Sequence, residues 1–256
     1  MTKLSVITIN YNNAEGLEKT LKSVINQTFI NYEYIIIDGG SSDNSVEVIE
    51  KYKSNIAYFI SEKDKGIYDA MNKGIAIAKG EYCLFLNSGD YLVDSYVFQK
   101  IFAANFSDDI IYGNMKVDWN NGKVTTEKMP RVISLSHMFR DTIWHPVSFI
   151  KKSLFDVYGL YNLSYSMVAD YEFFFRTVIK HKVSTHHIAM PVAVFVFDGL
   201  SSKEANKRVE RDERLKVHKT YLSDSEIKTE NEKVINDNIK NRKWYNRVMN
   251  KLLQLK

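Results

Sequence analysis

Tyr34-Ile35-Ile36-Ile37-Asp38-Gly39-Gly40-Ser41-Ser42-Asp43 decides the fold. Three consecutive isoleucines after a tyrosine read as an apolar strand. The run stops at a carboxylate, and Gly-Gly-Ser-Ser-Asp then marks a turn and a helix start. Val46, Val48, Ile49 and Tyr52 continue in a helix-compatible pattern. Working outward, residues 4–9 form another apolar strand, and Leu17, Leu21, Val24 and Ile25 repeat at helical spacing. Residues 56–60 predict a third strand and 67–78 a third helix, stopped near Gly80. A fourth strand, 82–86, ends at Asn87-Ser88-Gly89-Asp90. Strand–helix alternation with short connections predicts a parallel, right-handed, doubly wound sheet. Ligands of such sheets bind beyond the carboxyl ends of the strands. That rule gathers Asn10-Tyr11-Asn12, Asp38, Glu62 to Asp64 and Asn87 to Asp90 on one edge.

The second half is more mixed. Residues 110–112, 115–119 and 124–126 predict short strands around the turn Asn120-Asn121-Gly122. A strand at 147–150, a helix at 153–157, an aromatic-rich helix at 170–179 and a late strand at 190–197 follow. Beyond Ser201 the chain is polar and helical.

Composition sets outer limits. The 256 residues suffice for one α/β domain with a smaller appendage. A formal net charge of +4 is too small to argue for a nucleic-acid partner. The single cysteine, Cys83, excludes an intrachain disulfide and, inside Tyr82-Cys83-Leu84-Phe85-Leu86, reads as a core residue. No apolar leader precedes the first strand, and no run approaches the roughly 18 apolar residues of a membrane span. A cytoplasmic location is expected.

Each candidate side chain also has a plain structural reading. Asp38 either accepts hydrogen bonds from a nucleobase or ribose, or caps the turn that follows it; position leaves both open. The first loop, Asn10 to Gly16, lacks the G-x-G-x-x-G of a dinucleotide fold, which argues against a nicotinamide enzyme. Asp64 and Lys65 lie in a charged loop abutting a helix start, where backbone N–H groups favour anions. Asp90 suits a sparse oxygen site for a hard divalent cation, although an N-S-G-D sequence is commonly just a turn. His145 before Pro146, and His186-His187, are ordinary strand-end histidines, and too few ligands converge for zinc. Asp170 opens a helix, either as a first-turn acid or as a general base. Glu172, two residues on, points elsewhere.

In order, these segments resemble family 2 glycosyltransferases, which have the GT-A fold. Val6 to Asn12 looks like the family's first strand and nucleotide-contact loop, Ser23 to Thr28 like its first helix end, and Tyr34 to Asp43 like the strand and turn that hold the donor base. Asp64 to Gly74 resembles the segment before the metal motif. Asn87 to Asp90 falls where the family carries D-x-D, with Asn87 and Gly89 replacing expected acids. Ala169 to Arg176 falls at the acceptor-side base, and Gly199 to Ser202 at a later donor loop. The resemblance covers roughly the first 200 residues.

The resemblance implies an α/β fold of GT-A type, with a mostly parallel central sheet flanked by helices. Residues 1–200 would form the catalytic domain, divided into a nucleotide-binding half (1–95) and an acceptor-side half (96–200). Residues 201–256 would be a helical extension that docks on a membrane or a second subunit. Donor contacts are expected from Thr8, Asn10, Asn12, Asp38, Gly40, Asp64, Lys65, Asn72, Asn87 and Ser88. Mg²⁺ or Mn²⁺ is expected at Asp90, the base role at Asp170, and an acceptor-side role at His145, Glu172 and Arg176. The implied reaction is inverting transfer from a nucleoside-diphosphate sugar, UDP-linked by expectation, to a glycan or lipid-linked glycan hydroxyl in bacterial surface-polysaccharide synthesis (capsule or lipopolysaccharide). Two alternatives stand beside it: a nucleotidyltransferase, and a sugar-nucleotide-binding protein with weakened catalysis. In the tail, Trp244, Val248, Leu252 and Leu255 share one helical face, flanked by Lys240, Lys243, Arg247 and Lys251. Such a helix suits the inner face of the plasma membrane or a homodimer contact equally.

Overall fold

The computed structural model describes residues 2–197 and 204–253. The loop 199–202 and the side-chain face expected on 244–255 lie outside what it describes. The first four strands are β1 Leu4–Asn10, β2 Tyr32–Asp38, β3 Tyr58–Ser61 and β4 Tyr82–Phe85. They pair in parallel in the order β3-β2-β1-β4. Their register sets Asn10 beside Asp38 and Asp38 beside Ser61, so three polar tips meet on one edge.

Three helices connect these strands. Helix α1, Ala14–Ile25, starts at Asn13, whose Oδ1 accepts from the Gly16 amide, and buries Leu17, Leu21 and Val24. Helix α2 spans Ser45–Lys51, and α3 spans Ile67–Ile77. Both sheet faces are covered. Ile7, Ile9, Ile35, Ile37 and Phe85 pack on the α3 side, whereas Leu4, Val6, Tyr34, Ile36 and Leu84 pack on the α1 side. This two-sided burial is why the strands read as unbroken apolar runs. Cys83 sits in the first core, where burial pushes its thiol up to about 12.

The second half is more mixed, as its sequence reads. β5 Tyr91–Leu92, β6 Ile110–Asp118, β7 Val124–Glu127, β8 Ser148–Lys151 and β9 Thr185–Val196 extend the sheet as β4-β8-β6-β9-β5, with β7 on the far part of β6. β8 runs antiparallel to β4 and β6, and β9 runs parallel to β6. The sheet is therefore mixed. The two short strands expected at 110–112 and 115–119 are one strand with a register shift around Gly113. A Cβ there would lie 2.5 Å from Val192 Cγ2, so the close crossing of β6 and β9 requires glycine.

The other helices are α4 Val97–Phe102, α5 Leu135–Arg140, α6 Lys152–Tyr158, α7 Ala169–Phe174, α8 Glu204–Tyr221 and α9 Asp224–Leu253. The expected helix 170–179 is in fact α7 followed by a π-helical turn, Phe175–Lys180. No described helix is long and apolar enough to cross a membrane.

Candidate active site

At the tips of β1, β2 and β3, Asp38 is fully buried and its acceptor capacity is filled. Asn10 Nδ2 and Ser41 Oγ donate to Oδ1 at 2.7 and 2.5 Å; Ser61 Oγ and the Ser41 amide donate to Oδ2 at 2.6 and 2.9 Å. Burial raises this carboxyl's pKa, but the bonds from Ser41, Ser61 and Asn10 outweigh it and hold the group below its ordinary value. The geometry favours the turn-capping reading: a nucleobase would have to displace one of these donors. Above this floor lie more open groups. Tyr11 is 65% exposed, Asn12 accepts from the Ser42 amide at 2.8 Å, and Asp64 Oδ1 accepts from the Gly66 amide at 2.8 Å. Gly39 makes the cluster possible, because a Cβ there would meet Asp64 Oδ2 at 2.6 Å and the Tyr11 ring at 3.2 Å.

The turn after β4 is tied to the same edge. The Ser88 amide donates to the Ile9 carbonyl at 3.0 Å, and Asn13 Nδ2 donates to the Ser88 carbonyl at 3.1 Å. The Asp90 amide closes the turn on the Asn87 carbonyl at 3.0 Å, with Gly89 at φ +106°. Asp90 is 6% exposed, and its side chain accepts from the Val196 amide at 3.2 Å. Burial pushes its carboxyl up to about 7, only partly offset by the nearby His145 and the Val196 bond.

Asp170 stands in the first turn of α7. Its Oδ1 lies 2.7 Å from the Tyr68 hydroxyl of α3 and accepts from the Tyr171 amide at 2.9 Å; Oδ2 lies 3.2 Å from His145 Nδ1. Burial raises its pKa, but His145, Tyr68 and the Tyr171 amide outweigh it, so Asp170 is held below its ordinary value and is ionised at neutral pH. His145, in the turn His145–Val147, lies with Nε2 3.2 Å from Asn87 Nδ2. The base candidate and the turn after β4 are thus joined through one imidazole.

Helix α8 braces this region. Both oxygens of Glu213 accept from the loop before α7: Oε1 from the Ser166 amide and hydroxyl at 2.8 Å each, Oε2 from the Met167 amide at 2.9 Å. His218 Nε2 lies 2.7 Å from the Tyr171 hydroxyl, and the Arg214 guanidinium sits 4.4 Å from the centre of the Tyr171 ring.

Several expected site residues are committed elsewhere. Thr8 is fully buried and donates to the Leu86 carbonyl at 2.8 Å, locking β1 to the end of β4. Asn72 exchanges two bonds with the Tyr161 backbone, at 2.9 and 3.0 Å. Glu172 and Arg176 pair at 3.0 Å; Arg176 also binds the carbonyls of Tyr158, Gly159 and Leu160, and Glu172 accepts from Tyr221. Glu172 is only 3% exposed, so this pair supports a loop instead of facing an acceptor. Gly40, at φ +78°, turns the chain beneath Lys63; Lys65 is exposed, with its amide on Asp69 Oδ2 at 3.0 Å. His186 pairs with Asp108 at 3.6 Å, away from the crevice. Tyr68, Ser41, Ser61 and Glu213 were not anticipated. A tyrosine in the first turn after Asp64-Lys65-Gly66 was the available signal for Tyr68.

Among the described residues, no group of three or more His, Cys, Asp or Glu side chains gathers at metal-binding range. Asp90 nonetheless fits a hard divalent cation shared with a diphosphate. It is a desolvated carboxylate with one backbone bond, and such cations accept water and phosphate oxygens for the rest of their shell.

The glycosyl transferase family 2 model matches residues 5–163. A PGL/p-HBAD biosynthesis glycosyltransferase of Mycobacterium bovis is 29% identical over 225 residues, 83% of this chain and 86% of the relative. Among solved structures, S. aureus TarS 1–349 in complex with UDP superposes with a TM-score of 0.63 at 18% identity, covering 76% of this chain. The mannosyltransferase PcManGT of Pyrobaculum calidifontis, solved with GDP-Man and Mn²⁺, gives 0.59 at 14% identity, covering 84%. This chain spans 60% of the TarS chain and 62% of the PcManGT chain. These similarities set the nucleotidyltransferase alternative aside. The chain belongs to glycosyl transferase family 2 and is a glycosyltransferase with the GT-A fold.

Proposed function

We propose that this protein transfers a sugar, with inversion, from a UDP-sugar to a hydroxyl of a glycan or lipid-linked glycan acceptor. The observation that carries this reading is the ionised Asp170, joined through His145 and Asn87 to the turn that follows β4. The uridine preference draws on the TarS complexes with UDP and UDP-GlcNAc, and the lipid-linked acceptor on the PGL/p-HBAD biosynthesis name of the mycobacterial relative.

The crevice formed by Tyr11, Asn12 and Asp64 would receive the nucleoside, with Asp38 holding its floor. Asn87 and Ser88 would face the diphosphate sugar. In a single displacement the acceptor oxygen bonds to the anomeric carbon as the bond to the diphosphate oxygen breaks. The acceptor proton passes to Asp170 Oδ2, since Oδ1 is already occupied by Tyr68 and the Tyr171 amide. One base opposite the leaving group gives inversion. Asp90 would hold Mg²⁺ or Mn²⁺ together with the diphosphate, and the cation supplies neutralisation of the departing charge.

The tail fits a peripheral contact with an anionic membrane on the side where the donor is made. From residue 238 onward it carries Lys240, Arg242, Lys243, Arg247, Lys251 and Lys256 and no acidic residue.

A panel of nucleoside-diphosphate sugars with Mn²⁺ tests the reading. The expected outcome is stabilisation by UDP and one UDP-sugar, transfer to a hydroxyl acceptor with an inverted anomeric centre, and loss of transfer in EDTA. A retained anomeric configuration would overturn the single displacement, full activity in chelator would remove the cation, and donor hydrolysis with no acceptor transfer would leave a binding protein.

A further inference from the structure

We propose that His145 is a positioning residue that couples the Asn87 amide to Asp170 through its two ring nitrogens and fixes Oδ2 of Asp170 toward the acceptor. The inference rests on the base role of Asp170 proposed above. Asp170 is ionised and can only accept, so the hydrogen in the 3.2 Å contact to Oδ2 belongs to His145 Nδ1. On its other side the ring meets an amide nitrogen, which can only donate, so Nε2 is the acceptor there. Its partner is Asn87 Nδ2, also at 3.2 Å, which fixes the amide orientation and turns Asn87 Oδ1 to the other side. That Oδ1 is buried with no hydrogen-bond partner.

Leaving a buried carbonyl unpaired is costly, and a hydroxyl of the bound sugar would satisfy it. The resulting chain runs from a donor-sugar hydroxyl to Asn87 Oδ1, from Asn87 Nδ2 to Nε2, and from Nδ1 to Asp170. It orients the base more firmly when the donor is in place. The ring itself is held from behind, since Pro146 and Val147 of the same turn are buried and the His145 side chain is only 20% exposed.

The full chain tests this with steady-state kinetics on purified variants and with the long-range ¹H–¹⁵N correlation of the His145 ring. His145→Phe keeps a planar ring without either nitrogen, and kcat should fall about 10–100-fold with donor KM changed less than about twofold. His145→Asn returns an N–H near the position of Nδ1, and should recover kcat to within about tenfold of the unmodified enzyme. The wild-type ring should report the Nδ1–H tautomer at pH 7, and its resonances should sharpen with the nucleotide sugar. A wild-type kcat in His145→Phe, equal losses in the Phe and Asn variants, or an Nε2–H tautomer would overturn the proposal. The tautomer is read on unmodified protein, so it stands even if a variant fails to fold. Asp170→Asn serves as the control: if it keeps full turnover, the base reading fails; if it is inactive while His145→Phe is unaffected, only the role of His145 fails.

Discussion

Asp38 is buried and Asp170 partly buried, and both are held below their ordinary pKa, yet they are built in opposite ways. Asp38 is finished by its own neighbourhood: Asn10, Ser41 and Ser61 stand at the tips of adjacent parallel strands or in the following turn. Asp170 is assembled from afar, by Tyr68 on α3, His145 before β8 and, through the preceding loop, Glu213 on α8. The first carboxylate has no acceptor capacity left and serves as a floor. The second keeps an oxygen with a single long bond, which is what a base needs. Saturation by hydrogen bonds makes a carboxylate structural, and incomplete saturation in a partly buried site leaves it chemistry.

The sharpest way to break this contrast is Asp170→Asn. Transfer should drop about 10²–10⁴-fold while UDP affinity measured by calorimetry stays within about threefold. A variant that still turns over would make Asp170 as structural as Asp38. Glu213→Ala probes the brace. It leaves the Ser166 and Met167 donors without an acceptor, so unfolding free energy in urea should fall by about 3 kcal/mol, and kcat should fall more than donor affinity does. A loss confined to donor binding would contradict the separation of the two halves.

The smallest expected effect is that of His218. Burial, with Arg214 nearby, lowers its pKa from 6.5 to about 4. The unfolded chain therefore takes up a proton that the folded chain refuses. The stabilising contribution is complete above about pH 6.5 and disappears as the pH falls toward about 4. His218→Gln should flatten that part of the stability–pH curve, measured by denaturant titration at fixed pH steps.

The same contrast explains what could be read in the sequence. β1, β2 and β4 are buried on both faces, so their apolar runs and polar ends were visible, and the rule for strand tips located Asp38, Asp64 and Asn87 to Asp90. The second half was harder because its signals are interrupted. Gly113 splits β6 into two apparent strands, and a π-helical turn ends α7 at Phe174. Asp170 stood out as a helix-opening acid and His145 as an acceptor-side residue within the family resemblance, but the other partners of Asp170 did not. Tyr68 reads as one more apolar residue of α3, and Glu213 and His218 sit in a helix whose charge pattern suggests solvent. Sequence spacing gave no sign that Asn72 and Arg176 are consumed by long-range bonds to backbone groups.

The grip of Glu213 on the Ser166–Met167 backbone has an architectural consequence. The matched family region ends at residue 163, before Asp170, and the carboxylate that steadies the intervening loop arrives only on α8. Asp170 is therefore held from two stretches of the chain: Tyr68 and His145 lie inside the matched region, and the Glu213 brace lies beyond it. Exchanging the terminal helices between relatives should retune the acceptor side while the nucleotide crevice passes through unchanged.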